Sequence, residues 1–188
     1  CGSPGMRACQ TAGQNCGPCL GTEVCNNCDD DGVGGADNGC GPSNDDRANA
    51  TPITLGTMET TVTGTTVGAT RDGPTPTGCT CTSSGNVWYS FTVATAGVVY
   101  FDTTGSALDT SLFITDSAGA LVPAQAGNGQ TLEGLCNDDS GCTGTDWTST
   151  FQSRTYGYFT PGAYYLAVGG CLSNTFTLHA QFVASSVG

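Results

Sequence analysis

The stretch Asn86-Val-Trp-Tyr-Ser-Phe-Thr-Val-Ala94 decides the fold. Its side chains alternate between the two faces of an extended segment. The more apolar face comprises Val87, Tyr89, Phe91 and Val93, and the other comprises Trp88, Ser90 and Thr92. A period of two residues is typical of a strand in a β-sandwich, which turns one face toward the core. We therefore predict a strand at 86–94 whose Val87 face is buried.

Short alternating runs of the same kind recur throughout residues 45–188. Turn residues separate them, as at Asp116-Ser-Ala-Gly119 and Pro161-Gly162. No amphipathic helical window of useful length lies between the runs. The predicted strands are 60–67, 86–94, 97–104, 109–116, 120–124, 130–136, 149–159, 163–169 and 174–184. This pattern predicts an all-β fold, a two-sheet antiparallel β-sandwich of jelly-roll or Greek-key type. The predicted core comprises Val87, Tyr89, Phe91, Val99, Phe101, Leu112, Ile114, Phe151, Tyr165, Ala167, Phe176 and Leu178.

Charge and hydropathy exclude two classes of partner. The 188 residues carry a formal net charge of −12, with four Arg and no Lys, so a phosphate backbone is repelled and nucleic-acid binding is not expected. No apolar run is long enough to span a membrane. Thirteen of the sixteen acids are Asp, placed in loops beside Gly and Asn. Such loops either hold hard cations or form a solvated acidic surface.

Twelve cysteines indicate an oxidising compartment, so we expect a secreted or cell-surface protein. Residues 1–44 hold seven of them and few large apolar side chains, which predicts an irregular arm stapled by disulfides. If all twelve cysteines pair within the chain, an odd number of bridges joins this arm to the body at 45–188. The predicted disulfide cysteines are Cys1, Cys9, Cys16, Cys19, Cys25, Cys28, Cys40, Cys79, Cys81, Cys136, Cys142 and Cys171.

Other interpretations of the cysteines fit less well. Cys16-Gly-Pro-Cys19 matches a thioredoxin-type redox motif but lacks its strand and helix context. The two Cys-x-x-Cys units of the arm, at 16/19 and 25/28, also suggest zinc, yet only five residues separate them and disulfides are favoured in an extracellular setting. Cys1 followed by Gly-Ser also resembles a processed bacterial lipoprotein, in which the first Cys carries the lipid. In the body, a bridge between Cys136 and Cys142 would hold the acidic loop between them.

The acidic segment Cys28-Asp-Asp-Asp-Gly-Val-Gly-Gly-Ala-Asp-Asn-Gly-Cys40 resembles one unit of a thrombospondin type 3 repeat. In that family, alternating Asp residues followed by Gly wrap Ca²⁺, and Gly32 here permits the sharp turn. The matching aspartates are Asp29, Asp31 and Asp37. The segment departs from the family at Gly35, where a further Asp is usual. The resemblance implies one Ca²⁺ site, with a polar loop as the alternative.

Four motifs follow one another within residues 45–184. They are Asn86-Val-Trp-Tyr-Ser-Phe-Thr-Val-Ala-Thr-Ala-Gly97, Leu108-Asp-Thr-Ser-Leu-Phe-Ile-Thr-Asp-Ser-Ala-Gly119, Cys136-Asn-Asp-Asp139 and Phe159-Thr-Pro-Gly-Ala-Tyr-Tyr-Leu-Ala-Val-Gly169. In this order they resemble the bacterial pre-peptidase C-terminal domain. The resemblance implies a β-sandwich attached to secreted bacterial proteins, often hydrolases, with roles in secretion, adhesion or matrix binding.

A second Ca²⁺ site is predicted at one end of the sandwich. Asp109 precedes a predicted strand, and Asn137, Asp138 and Asp139 form a loop. If these segments converge, their carboxylates need a counter-ion, and Ca²⁺ accepts such oxygen ligands. Solvated loop acids are the alternative. Separately, Asn49-Ala-Thr51 is a glycosylation sequon, with Asn49 as the acceptor.

The sequence predicts that the protein is not an enzyme. Its only His is His179, on an outward position of an alternating strand, and it has neither a Gly-x-Ser-x-Gly motif nor a Lys. Glycosidase chemistry by paired acids is the one catalytic alternative, because sixteen carboxylates are available.

Two non-catalytic functions are consistent with these features. The first is a structural or adhesive extracellular module, stabilised by disulfides and Ca²⁺, that self-associates into a fibre. The second is an accessory domain of a secreted hydrolase that binds polysaccharide or matrix protein. Exposed aromatics would then stack on sugar rings. The candidate aromatics are Trp88, Trp147, Tyr156 and Tyr158, and the alternative for at least half of them is a core or sheet-packing position.

Overall fold

The computed structural model describes residues 41–76, 85–107, 109–123, 135–138 and 151–185. The chain divides into two units, Cys1–Pro42 and Ser43–Gly188. Several predictions fall on residues outside the described ranges, namely the arm cysteines, Asp29, Asp31, Asp37, Cys79, Cys81, Asp139, Cys142 and Trp147. In the described ranges there is no helix with the length and apolar character needed to cross a membrane.

The described part of the chain is a sandwich of two β-sheets, as the alternating pattern predicted. A single 3₁₀ turn, Arg47–Asn49, comes first. The strands are β1 Thr51–Pro52, β2 Thr60–Thr65, β3 Val87–Val93, β4 Gly97–Asp102, β5 Thr110–Asp116, β6 Cys136–Asn137, β7 Arg154–Phe159, β8 Gly162–Gly170 and β9 Thr175–Ala184. One sheet has the order β1-β3-β8-β5-β6 and the other β2-β9-β4-β7. All the pairings within these ranges are antiparallel except that of β1 with β3.

Most predicted strands are present with bounds that differ by a few residues, and residues 130–134 of the strand predicted at 130–136 lie outside the described ranges. The prediction of 120–124 was wrong, because only Leu121 forms an isolated bridge there, to Thr115. Pro123 has no amide hydrogen to continue such a ladder. The short strand β1 and the 3₁₀ turn before it were not predicted, since the polar segment that forms them has no alternating pattern.

The core lies between the two sheets and includes the predicted face of β3. Val87, Tyr89, Phe91 and Val93 are all buried. Phe91 makes edge-to-face contacts with rings of the opposite sheet, at centroid distances of 5.0 Å to Phe101 and 5.6 Å to Phe159. These aromatic contacts add to the burial of apolar area and connect the sheets.

Three predicted core residues lie elsewhere. Phe151 is 59% exposed, because it precedes β7 and does not take part in the alternation of that strand. In β8 the inward residues are Leu166 and Val168, paired with Tyr89 and Val87 of β3. Tyr165 and Ala167 therefore lie on the opposite face, since a shift of one residue moves every side chain of a strand to the other side.

Trp88 is completely buried, so the prediction that it is available to stack on sugars was wrong. It lies on the outer face of the five-stranded sheet in a second cluster with Phe113, Cys136 and Ala167. Its ring contacts Phe113 edge to face at 5.4 Å. Gly73 packs so closely that a Cβ there would lie 2.6 Å from Cζ2 of Trp88.

The cover of this cluster is a strap, defined here as residues 44–53. The Trp88 amide donates to the carbonyl of Asn44 at 2.8 Å, and Nδ2 of Asn44 donates to the Trp88 carbonyl at 2.9 Å. The Arg47 guanidinium lies 4.4 Å from the centre of the Tyr165 ring, and the Arg47 amide donates to Asp72 at 2.7 Å. Asn49, the sequon residue, is exposed on the strap, and its glycosylation stays a prediction.

Candidate ligand-binding face

The predicted calcium residues of the body lie on neighbouring segments. β6 pairs antiparallel with β5 through Leu112 and Asn137, so Asp138 continues toward the end of β5 that Asp109 precedes. A buried hydroxyl network supports this end of the sandwich: the Ser153 hydroxyl lies within hydrogen-bonding distance of the carbonyls of Thr110 and Asp138. The backbone segments that carry the predicted ligands therefore meet.

The side chains in this region also have structural partners. The Oδ1 atom of Asn137 accepts a hydrogen bond from the Arg154 amide at 2.8 Å, which fixes the start of β7. Within the described ranges, no three His, Cys, Asp or Glu side chains group closely enough to hold a metal. Calcium binding by Asp109, Asn137 and Asp138 stays a prediction. Nearby, Cys136 takes part in a disulfide bond, as does Cys171 after β8.

The outer face of the four-stranded sheet presents a different kind of surface, here named the tyrosine face. Three adjacent strands align their outward residues in cross-strand rows. The rows are His179, Asp102 and Arg154; Gln181, Tyr100 and Tyr156; and Val183, Val98 and Tyr158. Directly opposed residues on neighbouring strands are close enough to contact one ligand together. From the first row to the third, the side chains of this face thus change from charged to aromatic to apolar.

A groove of about 460 Å³ crosses this face. Its polar and aromatic lining comprises Glu59, Tyr100, Asp102, Arg154, His179 and Gln181. This volume falls in the range of small-molecule sites, and the lining combines aromatic surface with a few polar groups, as such sites do.

Tyr100 is the aromatic residue of the groove lining, and it pairs across strands with Tyr156, which lies beside the groove on the same face. The rings of Tyr100 and Tyr156 stack with a centroid distance of 5.4 Å and an interplanar angle of 21°. The Arg154 guanidinium lies 5.8 Å from the centre of the Tyr156 ring. Both rings are partly buried. Each ring is therefore restricted in its motion by the sheet below it and by the face of the other ring.

The polar part of the groove is held by contacts within the protein. The Asp102 carboxylate accepts the Thr104 amide at 3.0 Å, and Nε2 of Gln181 donates to the Thr57 carbonyl at 2.8 Å. Oε1 of Glu59 lies 3.0 Å from Nδ1 of His179. A ligand therefore meets oriented groups, which reduces the entropy lost on binding.

The surroundings of His179 do not form a catalytic triad. In a triad, the hydroxyl and the carboxylate bind opposite nitrogens of the imidazole. Here the Thr61 hydroxyl, at 3.3 Å, and the Glu59 carboxylate share Nδ1. The other nitrogen, Nε2, lies 3.1 Å from the main-chain carbonyl of Thr104, which can only accept a hydrogen bond. The imidazole connects three segments of the fold.

Only part of this face is predicted by the sequence. Tyr156 and Tyr158 are predicted as exposed aromatics; Tyr158 is 44% exposed, whereas Tyr156 is half-buried. Glu59, Tyr100 and Asp102 are not predicted as site residues. The alternation of β4 is the sequence feature that could have identified Tyr100 and Asp102. It places these two residues on the face of the strand that points away from the core residues Val99 and Phe101. However, alternation alone does not show which strands lie beside β4.

Comparison with solved structures finds a likeness to the pre-peptidase C-terminal domain of a collagenase from Bacillus anthracis. The TM-score is 0.40 and the sequence identity 15%, over 70% of this chain and 93% of that chain. No family model matches the sequence. No curated protein matches it either. Membership of that family stays a prediction, and the fold class follows from the two sheets described above.

Proposed function

We propose that the 43–188 unit is a non-catalytic extracellular module that binds polysaccharide or matrix protein through the tyrosine face. The observation that carries this proposal is the groove that Glu59, Tyr100, Asp102, Arg154 and Gln181 line. On the same outer sheet face, Tyr100 of the groove stacks on Tyr156 beside these oriented polar groups, and such a combination suits ligand binding.

A pull-down assay tests the binding function. The whole protein is incubated with a panel of insoluble polysaccharides and with immobilised matrix proteins such as collagen, and the bound fraction is measured. We expect at least one member to retain the protein at micromolar concentration. If none does, and if native extracellular material from the source also fails to retain it, the proposed function is wrong.

The absence of catalysis is part of the proposal. It is supported by the contacts of His179, the only His of the sequence, whose two ring nitrogens face Glu59 and Thr61 on one side and Thr104 on the other. The groove does contain two carboxylates, Glu59 and Asp102, so glycosidase activity is the competing function. Release of reducing ends from any bound polysaccharide, lost in Glu59→Gln and Asp102→Asn, would establish the competing function.

Extracellular localisation and calcium binding are further proposals. Disulfide bonds at Cys136 and Cys171 support an oxidising location. Titration of native protein should therefore find almost no free thiols.

A calcium site in the body is supported by the convergence of the segments that carry Asp109 and Asp138. Protein stripped with EDTA should then melt at a higher temperature when Ca²⁺ is added and should be unaffected by Mg²⁺ at the same concentration. Identical melting in all three conditions would exclude calcium binding.

Self-association into a fibre is proposed separately from ligand binding. In the described part, the sheet order leaves β2 and β7 at the edges of the four-stranded sheet, where another chain can add a strand. Electron microscopy of native material should show filaments if such pairing occurs. Particles of one chain only, at all concentrations tested, would contradict this proposal.

A further inference from the structure

The tyrosine face combines three properties that together narrow the class of ligand. It has a stacked aromatic pair, a set of immobilised hydrogen-bonding groups and nearly balanced charge in the lining. From them we infer that its ligand is an uncharged polysaccharide, bound along an internal stretch of the chain. This inference rests on the proposed binding function and names the ligand of the same face.

The aromatic pair supplies the apolar contact that a sugar ring needs. Tyr100 and Tyr156 stack at 5.4 Å on neighbouring strands, and both remain partly accessible. A tyrosine ring offers an apolar body and a polar tip, so it packs against C–H groups while its hydroxyl contacts water or ligand. Pyranose rings present C–H groups on their faces and hydroxyls at their edges, which matches this arrangement.

The polar groups beside the pair match sugar hydroxyls better than peptide groups. Asp102 and Glu59 contribute carboxylate oxygens, which accept hydrogen bonds. Gln181 uses its Nε2 for the Thr57 carbonyl, which leaves the amide oxygen as a further acceptor for a ligand. Sugar hydroxyls donate and accept, and neighbouring hydroxyls can satisfy both oxygens of one carboxylate. A peptide backbone in extended form offers only one donor per residue.

Charge selects against anionic polymers. The groove places two carboxylates and the Arg154 guanidinium in one lining. The chain has a net charge of −12, so polyanions such as alginate or heparin are repelled. An uncharged chain introduces no unmatched charge into the groove, and burying an unmatched charge is costly.

The shape of the face indicates binding to the middle of a chain. The groove crosses β9, β4 and β7, whose outward residues form rows across the sheet. A surface of this kind lets a polymer enter and leave at both ends, whereas recognition of chain ends needs a closed pocket.

Binding measurements with the whole protein test this inference. The probes are insoluble cellulose and chitin, together with soluble dextran, all uncharged. Alginate is the anionic comparison, and immobilised collagen is the protein comparison. We expect binding to at least one uncharged polymer, unchanged in affinity between 50 mM and 500 mM salt. In Tyr100→Ala and Tyr156→Ala, affinity should fall at least tenfold. Tyr100→Phe and Tyr156→Phe keep the rings and should stay within about threefold of the wild type.

The matched control is Leu172→Ala, which removes an apolar side chain that is 72% exposed and outside the groove lining. It should bind like the wild type. Equal binding by the alanine variants of Tyr100 and Tyr156, in protein that unfolds at the wild-type denaturant concentration, would overturn the inference. So would preferential binding of alginate, or binding of collagen alone. The last two results would leave the proposed binding function intact, whereas absence of binding to every probe and to native extracellular material would contradict both.

Discussion

At the scale of single residues, close packing between the sheets depends on a glycine at particular positions, because a larger side chain would not fit there. Gly64 in β2 faces the core, where a Cβ would lie 2.4 Å from Cζ of Phe176 and 2.5 Å from the hydroxyl oxygen of Tyr89. Both rings are buried and contact each other edge to face at 6.3 Å. Because neither can rotate away without disturbing the other, a methyl group at this position forces the core apart.

Gly64→Ala should therefore destabilise the fold by about 1–3 kcal/mol through overpacking. The control is Gly56→Ala, where the nearest atom to an added Cβ is the Met58 carbonyl oxygen at 3.5 Å, an ordinary contact. Urea unfolding of both variants measures the difference. Equal stability of the two variants would show that Phe176 and Tyr89 do not constrain this position.

Because Tyr89 is buried, the free energy of unfolding should depend on pH in the alkaline range. Desolvation raises the pKa of its phenol above the ordinary value of 10.0, and a hydrogen bond with Asn44 opposes this effect. The unfolded chain therefore loses the proton at lower pH than the folded one. The stability that this burial contributes is fully present below pH 10 and is lost progressively as the pH rises from 10 through the higher pKa of the folded state. The fall in urea midpoint over this range should be smaller in Tyr89→Phe, and an identical fall would contradict the burial effect.

At the scale of elements, the strap shows how a polar segment becomes part of a β-sandwich. Residues 44–53 cover Trp88 by main-chain hydrogen bonds, by β1 pairing with β3 and by Arg47 above Tyr165. Arg47 also donates from Nη2 to the Ser117 carbonyl at 3.0 Å. One side chain thus connects the 3₁₀ turn, β8 and the turn after β5.

Arg47→Ala should cost roughly 1–2 kcal/mol, because it removes a cation–π contact and a hydrogen bond. Loss of the cover should also increase the fluorescence quenching of Trp88 by acrylamide. Arg71→Ala makes the same chemical change at an exposed position and should alter stability by no more than about 0.5 kcal/mol. If the two variants behave alike, the strap is not held by Arg47.

The strap also marks the limit of what sequence patterns could predict. Strands β3, β4, β5 and β9 follow from alternation and from the turn residues between them. The burial of Trp88 could not be predicted, because its cover comes from a segment with no periodic pattern. The prediction assigned the wrong face of β8 to the core for a related reason. Tyr164, Tyr165 and Leu166 follow one another, so neither face of this strand is clearly more apolar. The face that is buried depends on the register with the neighbouring strands. The tyrosine face required knowledge of strand order.

At the scale of the whole molecule, the two units differ in how their sequences can hold a structure. The 43–188 unit has an apolar core between its sheets, whereas residues 1–42 contain few large apolar side chains beside seven cysteines. Disulfides typically contribute about 2–4 kcal/mol each, chiefly by restricting the unfolded chain. Reduction should therefore affect the two units unequally.

After reduction and alkylation, limited proteolysis should degrade residues 1–42 first and leave the 43–188 unit as the resistant fragment. The reduced 43–188 unit should still unfold cooperatively, at a lower temperature than before because Cys136 and Cys171 are disulfide-bonded. Mass spectrometry of the fragments measures the order of cleavage. Equal loss of both units would contradict an independent core.

The measurement that tests the central claim most directly is hydroxyl-radical footprinting of the protein with and without a bound polysaccharide. The tyrosine face predicts that the ligand protects residues 97–102 and 154–159, with Tyr100 and Tyr156 protected most, and leaves the strap at 44–53 unchanged. Protection of the strap, or unchanged labelling of Tyr100 and Tyr156 when the ligand is bound, would contradict the claim that this face binds the ligand.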